Sequence, residues 1–448
     1  METPSSPRSE GLASDGVRLE FTRIARSEAY EVTLPDGVRV RVEKSRARAV
    51  PGLGSLGPTT DAMYDLALDQ LGKVALEGLV IDLGSGCGVG TRKLAGKAKA
   101  VVAVEADEAA ARITNALVPE ATTIASTLEH ATVETLGDAA LLVDVLAFAD
   151  DPRTMLRGAR RLLRAGGRLV VVEIAAFASQ ALLAPARRAM TPARLHALLE
   201  CAGFRVDRCG AVGGVVIGDA TAVDSEEAER LEGAAQLARS GDTDGGLALL
   251  ETLSASRTIS LQVQATLDAV DLLVAQGRAD DACTKLLAVL RQHADEPRCL
   301  ATLSQFMVAA GETNEAKLLA ERAHRQSPLD PGVLAALAIA QQATRDPDAT
   351  RSWKRAHNLS PDVVEIVLPA AAHALEIGQP ALAERMLNRC MTYEGNVRPE
   401  TLVMRARVLM ALGRREDAKL DARLALAANP IHVEAKALVT ALESLKAS

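Results

Sequence analysis

The feature that most restricts the fold is a spacing in the second half of the chain. From Ser225 onward a Gly recurs with a small residue five positions later: Gly241 and Gly246, Gly277 and Ala282, Gly311 and Ala316, Gly378 and Ala383, Gly413 and Ala418. A sixth unit has Asp346-Pro347 at the turn and Ala349 as its small residue. Seven positions past the small residue another Ala recurs (Ala323, Ala356, Ala425), and twelve past it a Pro (Pro328, Pro361, Pro430). The strand signal is gone from this region, and the period is roughly 34 residues. Gly closes the first helix of a pair, small residues let two helices cross closely, and Pro marks the junction to the next pair. A hairpin of this kind cannot bury its apolar face alone, so the pattern predicts a stacked all-α solenoid. Ile431 to Leu445 reads as a terminal capping helix over the last apolar face.

This spacing resembles the tetratricopeptide repeat, over about residues 227–430. Most of that family's aromatic positions hold Leu or Ala here; Trp353 occupies one of them. The resemblance implies a protein partner, or self-association, for a repeat domain at 227–448 of about six repeats plus the cap. In that family the first helix of each pair lines the concave face. Read in register, those positions hold Ala301, Gln305, Leu334, Ala338, Leu368, Ala372, Val403 and Arg407. One cation among eight cannot grip an acidic peptide tail. The expected occupant is an apolar helix, from a partner or a second copy.

The first half has another rhythm. VRLEF, YEVTL and VRVRVE between residues 17 and 43 alternate apolar and polar residues, with Pro35-Asp36-Gly37 as a turn, and predict a small β-rich segment at 17–57. The Ser/Pro-rich residues 1–16 predict disorder. Short apolar runs then alternate with helical segments: LVIDL (79–83), AVVAVE (100–105), TTIA (122–125), ALLVDVL (140–146), RLVVVEI (168–174), FRVDRC (204–209) and GVVIG (214–218). Continuous β-branched runs fit strands buried on both faces, so 58–220 is expected to form a mostly parallel α/β sheet with an antiparallel edge.

Within it, LVIDLGSGCGVGTRKLA (79–95) is strand, Gly-rich turn and helix. Gly84, Gly86 and Gly88 let backbone approach a ligand. The spacing fails the G-x-G-x-x-G dinucleotide pattern, because Val89 stands at the third glycine position. It reads D-x-G-x-G-x-G, with Asp82 closing the strand, and resembles motif I of class I S-adenosylmethionine-dependent methyltransferases. An acid there suits a cationic ligand. Glu105 follows at the tip of the second run, where an acid can accept both ribose hydroxyls. LLVDVLAFADDP (141–152), LLRAGGRLVVVE (162–173) and TPARLHALLECAGFRV (191–206) continue the likeness, which spans about 58–220. It implies a Rossmann-like seven-stranded sheet and S-adenosyl-L-methionine as cofactor. The residues it implies for binding are Asp82, Gly84, Ser85, Gly86, Gly88, Glu105, Ala106, Ser126, Thr127 and Asp144. Ser126-Thr127 stand where the family often has an acid near the adenine. There is no Asn-Pro-Pro-Tyr-type loop and no Pro-Cys pair after the fourth strand, which disfavours those routes to amino and cytosine methylation.

No catalytic residue is assigned. His130, Asp144 and the Asp150-Asp151 pair are the candidate bases; Asp151 before Pro152 also suits a helix cap. Thr59, Thr60 and Tyr64 precede the first strand, where they could touch cofactor or acceptor. The remaining His residues show no ligand spacing, so no metal is expected. Six Cys without a CxxC pair read as free thiols, and the lack of an 18-residue apolar run or secretory signal leads to a cytoplasmic expectation. A net charge of −7 and 2% aromatic residues argue against nucleic acid, although Arg157, Arg160, Arg161 and Arg164 make a local basic run. Two functions fit. One is a methyltransferase acting on a protein or small molecule, its repeats recruiting a partner or making a dimer. The other is a non-catalytic scaffold whose methyltransferase fold only binds cofactor.

Overall fold

The computed structural model describes residues 9–14, 17–23, 29–43, 60–149, 151–176, 190–392 and 397–444. The chain divides into two compact units, Met1–Asp268 and Ala269–Ser448. The compactness boundary therefore lies beyond the change in sequence rhythm near 220–227.

The first unit begins with an antiparallel meander, β1 (Ser9–Ser14), β2 (Val17–Arg23), β3 (Ala29–Thr33) and β4 (Arg39–Glu43). Residues 9–14 depart from the disorder expected of them, because they pair along their whole length with β2. Alternation decides the buried face: Tyr30 and Val32 face inward, Glu31 and Thr33 outward. Gly37 turns the β3–β4 hairpin with φ +84°, and Asp36 Oδ1 accepts the Val38 amide at 3.0 Å.

The main sheet holds β5 (Leu79–Leu83), β6 (Ala100–Glu105), β7 (Thr122–Ala125), β8 (Gly137–Val143), β9 (Leu163–Ile174), β10 (Phe204–Val212) and β11 (Val215–Ala222). Their order is β10-β11-β9-β8-β5-β6-β7. β5 pairs in parallel with both β6 and β8, so the order reverses at β5. In open α/β sheets ligands bind outside the carboxyl ends of the strands at such a reversal. The antiparallel strand was expected at the edge; it is β11, second from the edge, because the Gly213-Gly214 hairpin folds it back between β9 and β10.

Helices α1 (Thr60–Leu71), α2 (Val89–Ala95), α3 (Glu108–Leu117), α4 (Pro152–Arg161) and α5 (Pro192–Cys201) belong to this unit. The small sheet packs on α3 through β2 and β4. α6 (Glu226–Ser240), α7 (Thr243–Thr252) and the start of α8 (Ile259–Ala275) also fall in the first unit. The arginines of α4 explain why. Arg157 pairs with Glu232 and donates to Ala228 O; Arg160 donates to Val223 O at 3.0 Å and pairs with Asp224 at 2.8 Å; Arg153 pairs with Asp268 at 2.6 Å. Arg164 pairs with Asp138 at 2.7 Å. Arg157 and Arg160 of the basic run thus form an internal joint, while Arg161 and Arg164 stay about half exposed.

Among its described residues the second unit shows only helices: the rest of α8, then α9 (Ala279–Gln292), α10 (Pro297–Ala309), α11 (Thr313–Gln326), α12 (Pro331–Ala343), α13 (Ala349–Leu359), α14 (Val364–Glu376), α15 (Pro380–Met391), α16 (Pro399–Ala411), α17 (Arg415–Ala428) and α18 (Val433–Ser444). Successive pairs pack side by side, and α18 covers the last pair. Ala282, Ala316, Ala383 and Ala418 are all fully buried where the helices cross. Gly311, Gly378 and Gly413 have positive φ just past the helix ends. In the hairpin without such a Gly, Arg345 takes the left-handed role at φ +57°. Leu334 and Ala338, read as groove positions, are fully buried, since α12 is enclosed nearly all round. Exposed apolar side chains lie elsewhere, at Leu318, Leu420, Leu424, Ile431 and Val433. Leu445 of the expected cap lies outside the described residues. Among the described residues no helix is long and apolar enough to cross a membrane, and no cluster could hold a metal ion.

Candidate functional site

The turn after β5 is pinned from behind. The amides of Gly84 and Ser85 donate to Val104 O at 2.8 and 3.1 Å, and Thr114 Oγ1 donates to Gly86 O at 2.9 Å. Gly84 (φ +75°) is required by space as well as by backbone: a Cβ there would lie 2.6 Å from Val145 Cγ2. The glycine thus lets the β5 turn approach the loop after β8. Ser85 Oγ is buried and has no hydrogen-bond partner among the described residues.

Glu105, at the tip of β6, is 1% exposed and accepts the Gly86 and Asp107 amides, each at 2.9 Å. It therefore ties the β5 turn to the start of α3, whose own first turn is capped by Asp107. Ala106 beside it is exposed. After β7, the Ser126 amide donates to Glu105 O at 2.9 Å, and Thr127 Oγ1 sits 3.0 Å from His130 Nδ1 on the surface. Asp144 follows β8 in the left-handed region at φ +57°, an uncommon place for a non-glycine residue and one that concentrates at functional sites. Its amide donates to Val172 O at 2.8 Å.

The expected residues of β5, β6, β7 and β8 therefore lie along one carboxyl edge, on both sides of the order reversal. Asp82 differs in depth. It is fully buried, with Oδ1 accepting from Tyr64 Oη at 2.8 Å and Oδ2 from Thr91 Oγ1 at 2.7 Å. Burial pushes its pKa up to about 6, the two hydroxyl bonds offset part of that, and nearby Glu105 adds to it. Tyr64 is driven well above its usual range by burial and then by the Asp82 charge. Asp151 caps α4, accepting from the Arg153 amide at 3.0 Å and Thr154 Oγ1 at 2.7 Å. Thr59 and Asp150 lie outside the described residues.

One organising residue escaped the sequence reading. Glu173, in β9, is 1% exposed and accepts the amides of Val145, Leu146 and Ala147 at 2.8, 2.7 and 3.3 Å. It fixes the loop after β8. The available signal was an acid inside the otherwise apolar stretch LVVVEI (169–174), which must find donors if buried.

Residues 81–171 match the family model described as a methyltransferase domain. That stretch holds the β5 turn, Glu105, Asp144 and most of β9. Among solved structures, a thermophilic tetratricopeptide repeat protein of Thermus thermophilus is 21% identical, covering 40% of this chain and 97% of that one, with a TM-score of 0.35. A SAM-dependent methyltransferase from Aquifex aeolicus is 17% identical, covering 36% of this chain and 89% of that one, at 0.30. The N-methyltransferase NodS of Bradyrhizobium japonicum, in complex with S-adenosyl-L-homocysteine, is 16% identical, covering 36% and 87%, at 0.30. No curated protein matches the chain.

Proposed function

We propose that the first unit binds S-adenosyl-L-methionine across the carboxyl ends of β5, β6 and β8 and transfers its methyl group to a protein or small-molecule acceptor. The observation that carries this reading is the Gly86–Glu105 bond, which sets a buried carboxylate directly against the glycine turn at the sheet's reversal. The donor set suits the ligand. Glu105 stands where a ribose would present its hydroxyls, the orphaned Ser85 hydroxyl lies within the turn, and acids rather than cations gather where a sulfonium and an ammonium would lie. The cofactor when bound supplies an electrophilic methyl group. The chain's own contribution is placement: Glu105 holds the turn, and Glu173 holds the loop that carries Asp144. Orientation of this kind supplies much of the acceleration of a displacement reaction.

The test is calorimetry on the full chain with S-adenosylmethionine and its demethylated product. Glu105→Ala should weaken both by about ten- to a hundredfold, the worth of a hydrogen bond to a charged group. Absence of binding to either by the parent chain would end the reading. A second reading, a scaffold that binds cofactor without turnover, draws on the saturation of Asp82 by Tyr64 and Thr91. Binding without transfer of labelled methyl to any acceptor in a cell extract would favour it. The repeats are proposed to recruit a protein or a second copy, in keeping with exposed Leu420, Leu424, Ile431 and Val433. Sedimentation of the full chain and capture by the repeats separate those two.

A further inference from the structure

Three side chains from three elements meet beneath the glycine turn. Asp82 lies near the end of β5, Thr91 lies in α2, and Tyr64 reaches in from α1. The Tyr64 ring is 2% exposed and occupies the space over Gly90, where a Cβ would fall 2.0 Å from the ring. Packing alone would be met by Phe. The hydroxyl adds only its bond to Asp82, and a buried donor to a carboxylate favours the charged form. Of the two α2 cations, Arg92 and Lys93, Lys93 is turned away to Asp61 and Asp65 at 3.0 and 2.6 Å. Asp82 is therefore held by two neutral hydroxyls, and its charge is left uncancelled by either.

We infer that Tyr64 is a positioning residue for the cationic end of the cofactor: it acts through Asp82, keeping that carboxylate ionised under the turn, and never touches the ligand itself. The inference rests on the cofactor reading above. The groups facing Asp82 agree with it. Glu105 on β6 opposes ionisation, Asp144 just after β8 adds its charge around Tyr64, and Glu173 on β9 is engaged by loop amides. With Asp82 at about 6, both hydroxyl bonds favour its charged form.

The experiment is a titration of the full chain with S-adenosylmethionine from pH 5 to 8.5, for the parent and for Tyr64→Phe. The parent should lose affinity below about pH 6. In Tyr64→Phe the loss should begin about one pH unit higher, since the missing bond favoured the charged acid. The two should then differ severalfold near pH 6.5 and converge at pH 8.5. Thr91→Val should move the limb in the same direction, and it carries the test if Tyr64→Phe does not fold. A uniform loss at every pH, or an unmoved limb in a parent that binds cofactor, would reduce Tyr64 to packing. A parent that binds at no pH would overturn this inference together with the cofactor reading, and is distinguishable from the previous outcome.

Discussion

The apolar core of the sheet unit and that of the repeat unit are built on different plans. In the first, one cluster runs from Ile81 and Val104 through Leu142 and Val171 to Phe204 and Val216, joining residues more than a hundred positions apart. In the second, apolar contacts come in small sets: Leu300, Ala323 and Val333 in one, Ala316, Ala320 and Leu337 in another, Ala406, Ala418 and Leu442 in a third. That cluster stands or falls together, and the opposite face of the sheet is buried as well, at Val80, Leu141 and Val170. The repeats sum nearest-neighbour terms. The chain's one Trp, Trp353, is 1% exposed within the repeats, so its fluorescence follows that unit alone.

The strongest way to break this contrast is Ile81→Ala. Removing a fully buried Ile from the common cluster should cost about 2–5 kcal/mol and lower protection of all the main-sheet amides together in hydrogen exchange. The Trp353 transition should stay in place; if it moves equally, the units share a core. Next comes pH, where the units should respond oppositely. His357 is pushed down to about 4 by burial and then by Arg389. Between its usual 6.5 and about 4 the unfolded chain binds the proton and the folded chain does not. The repeats should therefore lose up to roughly 3 kcal/mol as pH falls through that window. Asp82, raised from 3.8 to about 6, binds its proton in the folded state first. Its contribution to the sheet unit should shrink by a similar amount as pH rises from about 4 to 6. His357→Gln and Asp82→Asn should each flatten only their own unit's profile, read by Trp353 fluorescence and by exchange.

A smaller effect tests the joint inside the first unit. A double-mutant cycle of Arg157→Ala and Glu232→Ala should return a coupling of about 1 kcal/mol, visible in sheet protection. Zero coupling would mean that α6 is held without this pair. Of similar size is Arg345→Gly, which should stabilise the repeats by about 1 kcal/mol by relieving left-handed backbone at a non-glycine residue. An unchanged Trp353 midpoint would count against strain there.

The sequence was most legible where structure is local. β5, β6 and β7 begin and end as their apolar runs do, and the repeat glycines mark helix ends. β8 starts earlier than its apolar run because Gly137 joins the sheet across a bulge opposite Leu163, and Asp138 accepts the Leu79 amide. What stayed hidden depends on distant partners. The bonds from Tyr64 to Asp82 and from the β8 loop to Glu173 form only once strands are placed side by side. The local basic run was legible without its acids for the same reason: those paired with Arg160 and Arg157 come from 224 and 232.

Arg345 also bears on how such an array changes over evolutionary time. Hairpins that close on Gly311, Gly378 and Gly413 place their small residue five positions on, so gene duplication or deletion of a whole unit would keep phase at the seams. From Arg345 to Ala349 is four positions. A crossover at that hairpin would shift every downstream crossing residue by one, a rotation of about 100° on the helix face. This hairpin is therefore the point in the solenoid least open to recombination, and the length of the array is expected to vary on either side of it rather than through it.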